Sequence, residues 1–220
     1  MPEKTDEIII HIRDDKSIQL EICEKGSVKT KMITPDTLIE CVKESLSGFR
    51  FDTGILPSNI VSLSVDTERD TKYIVLEYQY DKSDITYMKT LYADFPLPRL
   101  LFGFVLENSG RISSINMGVP ALGKLTPETP MYYYPFSNVL RFSLCTGGNS
   151  IPHIKTMQSL QNLPDHILSW PDNDDRYDSS HNQFKMERRD LMEHLKDKDR
   201  KYYYEKVLVP MPGVTLKNFL

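Results

Sequence analysis

The chain has 220 residues, a net charge of −4 and a hydrophobic fraction of 40%. That is enough apolar material for a sizeable core, and the acidic balance argues against a broad nucleic-acid surface. No apolar run approaches the roughly 20 residues of a membrane span, and the charged start Met1-Pro2-Glu3-Lys4-Thr5-Asp6-Glu7 lacks a secretory signal's apolar stretch, so a cytoplasmic protein is expected.

In chain order, Ile8, Ile10 and Ile12, then Ile18, Leu20 and Ile22, alternate as strands do, with turns at Asp14-Asp15-Lys16 and Lys25-Gly26-Ser27. Cys23 falls on the polar face of the second strand. A helix follows, with Thr34 as cap, Pro35 at its first position, Asp36 favouring its dipole, and Gly48 as its end. Leu38, Cys41, Val42 and Leu46 form its apolar stripe, so Cys41 is expected to be buried and inert. Residues 49–57 read as a loop.

From 59 to 116 the chain is strand-rich. Expected strands are 60–66, 73–80, 85–92, 100–107 and 111–117, separated by Glu68-Arg69-Asp70, Asp81-Lys82-Ser83-Asp84 and Asn108-Ser109-Gly110. Short polar turns between regular strands predict an antiparallel meander, broken at Pro96 and Pro98. A loop is expected over 118–130, a short helix over 153–162 with Ile154, Met157 and Leu160 on one side, and an irregular acidic stretch over 163–182. A charged helix over 183–200 uses Phe184, Leu191 and Leu195 as its apolar side, and the mixed charges of 185–201 read as a solvated face. A last strand over 202–209 is ended by Pro210 and Pro212. Residues 1–58 are thus N-terminal strands and a helix, and 59–220 a core with a C-terminal extension, together one compact α+β unit. The three cysteines, at 23, 41 and 145, make no CxxC pair and no metal-ligand spacing, so no disulfide framework, metal or cofactor is expected.

The chemistry-bearing stretch runs from Tyr134 to Asn149. Asn138 precedes Cys145 by seven residues, across a mostly apolar, β-prone run. A tight Thr146-Gly147-Gly148-Asn149 turn follows. The parts are a sulfur nucleophile at a strand end, an amide side chain able to reach it, and backbone N–H groups exposed by Gly147 and Gly148. The alternatives are plain: a small core cysteine, a turn-forming asparagine and an ordinary glycine turn. No Lys-Ser/Thr follows the glycines at phosphate-loop spacing. A Cys–His hydrolase would draw on His153, His166 or His181, but no cysteine-protease signature is present. The Tyr132-Tyr133-Tyr134 and Tyr202-Tyr203-Tyr204 runs suit strand packing.

Helix, meander, extended loop, Asn…Cys and then helices is an order similar to the ubiquitin-conjugating-enzyme fold. Thr126-Pro127-Glu128-Thr129-Pro130, then Pro135-Phe136-Ser137-Asn138-Val139, then Cys145-Thr146-Gly147-Gly148 and Ser180-His181-Asn182 resemble prokaryotic family D of that superfamily (PRTRC system protein B-like) over residues 90–185. The resemblance implies an α+β fold with an antiparallel meander, flanking helices and a decorated C-terminus. It implies that a bacterial protein carries a ubiquitin-like modifier as a thioester on Cys145, with an adenylating (activating) enzyme as a second partner. Asn138 would donate to the oxyanion, Gly147 and Gly148 would support the turn, and His181 would be an accessory residue. Phe136-Ser137 stand where ubiquitin-conjugating enzymes have His-Pro, and Arg141-Phe142 where a glycine is usual. These departures favour the alternative of a catalytically inactive module that keeps the fold to dock a partner protein.

Overall fold

The computed structural model describes residues 7–24, 27–46 and 53–220. The chain divides into two compact units, Met1–Asp52 and Thr53–Leu220.

The first unit holds a three-stranded antiparallel sheet in the order β1 (Glu7–Ile12), β2 (Ile18–Glu24), β3 (Ser27–Ile33). The register sets Ile8 opposite Ile22, Ile10 opposite Leu20 and Ile12 opposite Ile18, as period-two alternation requires. β3 was not anticipated, because its lysines and threonines mask the alternation of Val28 and Met32. Helix α1 (Pro35–Leu46) begins where expected, and the Thr34 hydroxyl oxygen accepts the Thr37 N–H at 3.2 Å. The expected burial of Cys41 is corrected: Cys41 is exposed, as are Ile39 and Val42. The helix has its stripe, but the described part of it contributes nothing to the buried core, and spacing alone does not say whether a stripe is covered. Gly48, Lys25, Gly26, the Leu46 side chain and residues 49–52 of the expected loop lie outside the described residues.

The second unit is built on an antiparallel sheet. β4 (Ile60–Asp66), β5 (Thr71–Glu77), β8 (Leu101–Glu107) and β9 (Ile112–Pro120) lie side by side in that order. The chain leaves this sheet after β5 to form a separate hairpin, β6 (Lys82–Tyr87) and β7 (Thr90–Pro96), then returns. The single strand expected over 85–92 is therefore two strands. They reverse at Met88, which takes a positive φ of 55°, and Lys82–Asp84, read as a turn, begin the first of them. β5 and β8 are apolar on both faces, the pattern of a sheet covered twice. Ile74, Leu76, Phe102 and Phe104 enter one buried cluster, and Val75 and Leu101 enter another with Met131, Phe142, Leu216 and Phe219. Gly103, opposite Val75, admits the Tyr73 ring, and a Cβ there would lie 2.1 Å from the Tyr73 oxygen. That hydroxyl donates to the Phe219 carbonyl at 2.9 Å and accepts from Asn116 at 3.1 Å.

β10 (Pro130–Tyr132) joins β9 to an outer strand, β13 (Pro210–Thr215). Pro210 and Pro212 thus lie within the last strand, as an edge position allows. Residues 202–209, expected as strand, are helical at first: α4 (Arg200–Tyr202) runs into a π-helical turn at Tyr203–Val207 that buries Tyr203, whose hydroxyl donates to the Pro96 carbonyl at 2.7 Å. The helix expected over 153–162 is a 3-10 turn at Met157–Asn162, followed by α2 (Leu163–Leu168). The long charged helix shortens to α3 (Arg188–Leu195), and its supposed apolar anchor Phe184 is 38% exposed. No helix among the described residues is long and apolar enough to cross a membrane.

Candidate functional site

Cys145 is positioned by a small hairpin on the sheet. β11 (Val139–Leu140) and β12 (Ser143–Leu144) pair with each other, and Ser143 lies opposite Asn116 of β9. Arg141 occupies the first position of the two-residue turn with φ 56°, the sign a type II′ turn requires there. The Met117 N–H donates to the Phe142 carbonyl at 2.8 Å, and the Cys145 N–H to the Asn138 carbonyl at 2.7 Å. Cys145 is half-buried, at the first residue past the hairpin.

Beside it lies a small cleft of ≈ 60 Å³. Asn138, Cys145, Asn149 and Asp172 are among the residues that line it, with Leu144 and Trp170 among the apolar ones. Asn138 and Cys145 therefore share one cleft. No histidine lines it: His153 and His166 are exposed, and His181 stacks on Tyr133 with ring centroids 4.3 Å apart. Burial holds the His181 imidazole below its usual value, with Asp178 pulling it back. Gly147 and Gly148 belong to an exposed turn in which Asn149 donates to the Thr146 carbonyl from both its backbone and its side-chain nitrogen, each at 3.0 Å. Both glycines have open space around them.

Asn138 takes φ 64°, a left-handed conformation that asparagine tolerates better than most residues. Its backbone N–H donates to the Asp175 carbonyl at 2.8 Å, and its side-chain nitrogen to Asp172 Oδ1 at 2.6 Å. The other Asp172 oxygen pairs with Arg188 Nη2, while Arg188 Nη1 donates to the Ser137 hydroxyl. The guanidinium is 5.0 Å from the ring centroids of both Tyr87 and Phe136, an arrangement favoured by the ring quadrupoles. Burial pushes the Asp172 carboxyl above the usual carboxylate range, and the guanidinium pulls it back. Burial and the nearby Asp174 carboxylate raise the Tyr87 hydroxyl to about 12.

Arg188 is the residue that sequence reasoning missed. It stands in a run read as a solvated charged face, yet it is 2% exposed. The signal was its spacing: Arg188, Leu191 and Leu195 lie at i, i+3 and i+7 on the buried face of α3. Asp172 was hidden in the same way, as one acid among Asp172-Asn173-Asp174-Asp175.

No protein-family model, curated protein or solved structure matches the chain. The chain is an α+β protein with a mostly antiparallel sheet and a half-buried cysteine beside a small cleft.

Proposed function

We propose that this chain is a bacterial ubiquitin-conjugating-like protein that carries a ubiquitin-like modifier as a thioester on Cys145. The observation that supports the reading is the setting of the sulfur, half-exposed just past a hairpin and sharing a cleft with Asn138. The antiparallel strands β4, β5, β8 and β9 precede the Asn138–Cys145 unit, as the reading requires.

The chemistry proceeds in two acyl transfers. The Cys145 thiolate attacks the modifier's C-terminal carbonyl, held as a thioester on an adenylating enzyme; a new C–S bond forms, the old one breaks, and the enzyme's thiolate leaves. An acceptor amine then attacks the same carbon. The C–N bond forms, the Cys145 thiolate leaves, and the surplus amine proton passes to solvent. Asn138 donates to the oxyanion of the tetrahedral intermediate that the amine forms. Gly147 and Gly148 serve the turn beyond the sulfur, and His181 has no direct part.

A second reading, a docking module without catalysis, is favoured by one observation: the Asn138 amide is already engaged by Asp172. Trapping separates the two. Incubation with a ubiquitin-like protein, its adenylating enzyme and ATP is expected to give an adduct that reductant removes and Cys145→Ala abolishes. Stable binding of the modifier with no adduct would overturn the thioester reading in favour of docking.

A further inference from the structure

We infer that Asp172 is a positioning residue for Asn138, held in place by the buried Arg188 cation. Its catalytic consequence rests on the thioester reading above; its geometry does not. The Asp172 carboxylate faces two ways. Oδ1 accepts from the Asn138 side-chain nitrogen at 2.6 Å and from the Asn173 N–H at 2.9 Å. Oδ2 is taken by Arg188, whose other terminal nitrogen grips Ser137, the chain neighbour of Asn138. One cation thus fixes both the backbone leading into Asn138 and the acceptor that orients its amide.

The surroundings keep the carboxylate from moving. The Asp172 N–H donates to the Thr86 carbonyl at 2.8 Å, and the Met88 N–H donates to the Asp172 carbonyl at 2.7 Å, which fastens this segment to the β6–β7 hairpin. The Arg188 Nε, buried, has no hydrogen-bond partner among the described residues. An incompletely bonded buried cation is a poor device for stability, since well-packed apolar residues do as well or better. What it supplies is direction. An amide nitrogen carries two hydrogens. With one bound to Asp172, the amide plane is set, and with it the direction of the second hydrogen of a residue that lines the same cleft as Cys145.

The test uses the full chain with Cys23→Ala and Cys41→Ala, so that Cys145 is the remaining thiol. The first readout is the ¹⁵N NMR signal of the Asn138 side-chain amide, assigned by its loss in Asn138→Ala. One of its two protons is expected to exchange slowly, and to exchange at least tenfold faster in Asp172→Asn. The second readout is acyl transfer, with a short glycine-terminated peptide thioester as donor and free lysine as acceptor. The ratio of discharge to loading is expected to fall about tenfold in Asp172→Asn, less than a lost oxyanion donor would give. In an Asn138→Ala background, Asp172→Asn is expected to add nothing. An unchanged Asn138 amide in Asp172→Asn, or a slowing that persists without Asn138, overturns the proposal. Should Asp172→Asn not fold, Arg188→Lys and Arg188→Met replace it: the lysine variant is expected to keep part of the amide protection and the methionine variant none, and equal protection in both is the contrary result. If the parent chain takes no acyl group on Cys145, the thioester reading fails while the amide signal still decides the positioning.

Discussion

The backbone N–H of Cys145 donates to the carbonyl oxygen of Asn138 at 2.7 Å, closing the open end of the hairpin that separates them. The bond fixes the main chain of the two residues relative to one another, so both side chains start from one short stretch of backbone. Seven residues suffice because the reversal is tight: β11 and β12 are two residues each, joined by Arg141 and Phe142. The left-handed conformations at Asn138 and Arg141 are where the chain bends to achieve it.

Cys145, half-buried at its cleft, is expected to react with a thiol-specific reagent in the native protein. The measurement uses Cys23→Ala and Cys41→Ala, because Cys41 is exposed and Cys23 is half-buried like Cys145. Mass spectrometry of the intact chain counts the adducts. Cys145→Ser is expected to convert a reductant-sensitive acyl adduct into a more stable ester, and a Cys145 that labels only in denaturant would contradict the reading.

Replacing Asn138 by Ala is expected to lower the ratio of thioester discharge to loading by roughly 10²-fold, the scale of one lost oxyanion donor. Single-turnover rates measured separately for loading and for discharge to lysine check this. Equal losses in both steps would assign Asn138 to the turn alone.

Arg188→Ala leaves the largely buried Asp172 carboxylate without its cation. The expected loss is about 3–5 kcal/mol, the range for breaking a buried ion pair from one side. Urea unfolding at neutral pH measures it. Arg188→Met, which fills more of the space and still strands the acid, is expected to fall between Arg188→Ala and the parent chain.

His181 gives stability a pH dependence of definite sign. Burial lowers its folded value below 6.5, so the fold prefers the neutral ring packed on Tyr133. The preference is fully satisfied above the unfolded value. It turns into a penalty as pH falls below 6.5 and through the lowered folded value. The parent chain is therefore expected to lose more stability between pH 7 and pH 5 than His181→Phe, which keeps a ring for the stack. Parallel curves for the two proteins would rule this out.

Gly103→Ala is expected to destabilise by about 1–3 kcal/mol, the cost of overpacking a tight core position. The new methyl would meet the Tyr73 hydroxyl, whose bonds to Phe219 and Asn116 resist displacement. Thermal unfolding followed by circular dichroism reads the change. Tyr73→Leu in the same chain is expected to recover part of the methyl's cost while losing the hydroxyl's bonds.

The strands around the core were legible because their signal is local. β4 coincides with its expected range, and β8 and β9 start within a residue of theirs, since alternating or continuous apolar runs stood between polar turns. Legibility failed where tertiary contacts override the local pattern. Tyr203 lies in a stretch that reads as strand, yet it bonds to Pro96, more than a hundred residues away, and that contact accompanies a helical backbone. The cleft divides in the same way. Asn138 and Cys145 could be singled out because their types and spacing suggest chemistry, whereas Asp172 and Arg188 matter only through a partner that no window of sequence contains. Cys41 shows the opposite error: its helical stripe is real, and nothing in periodicity says what covers it.

The prolines of β13 have a consequence at the outer margin of the larger sheet. Pro210 and Pro212 are exposed and have no N–H to offer, while Met211 between them is buried against the core. A strand arriving from another molecule would find two gaps in the row of donors it needs, so this margin is protected from edge-to-edge growth. The opposite margin, β4, reads Ile-Val-Ser-Leu-Ser-Val-Asp and has no proline to interrupt it. Any extended peptide that joins this sheet by main-chain bonding therefore has its better template at β4, on the far side of the strand order from the hairpin that presents Cys145.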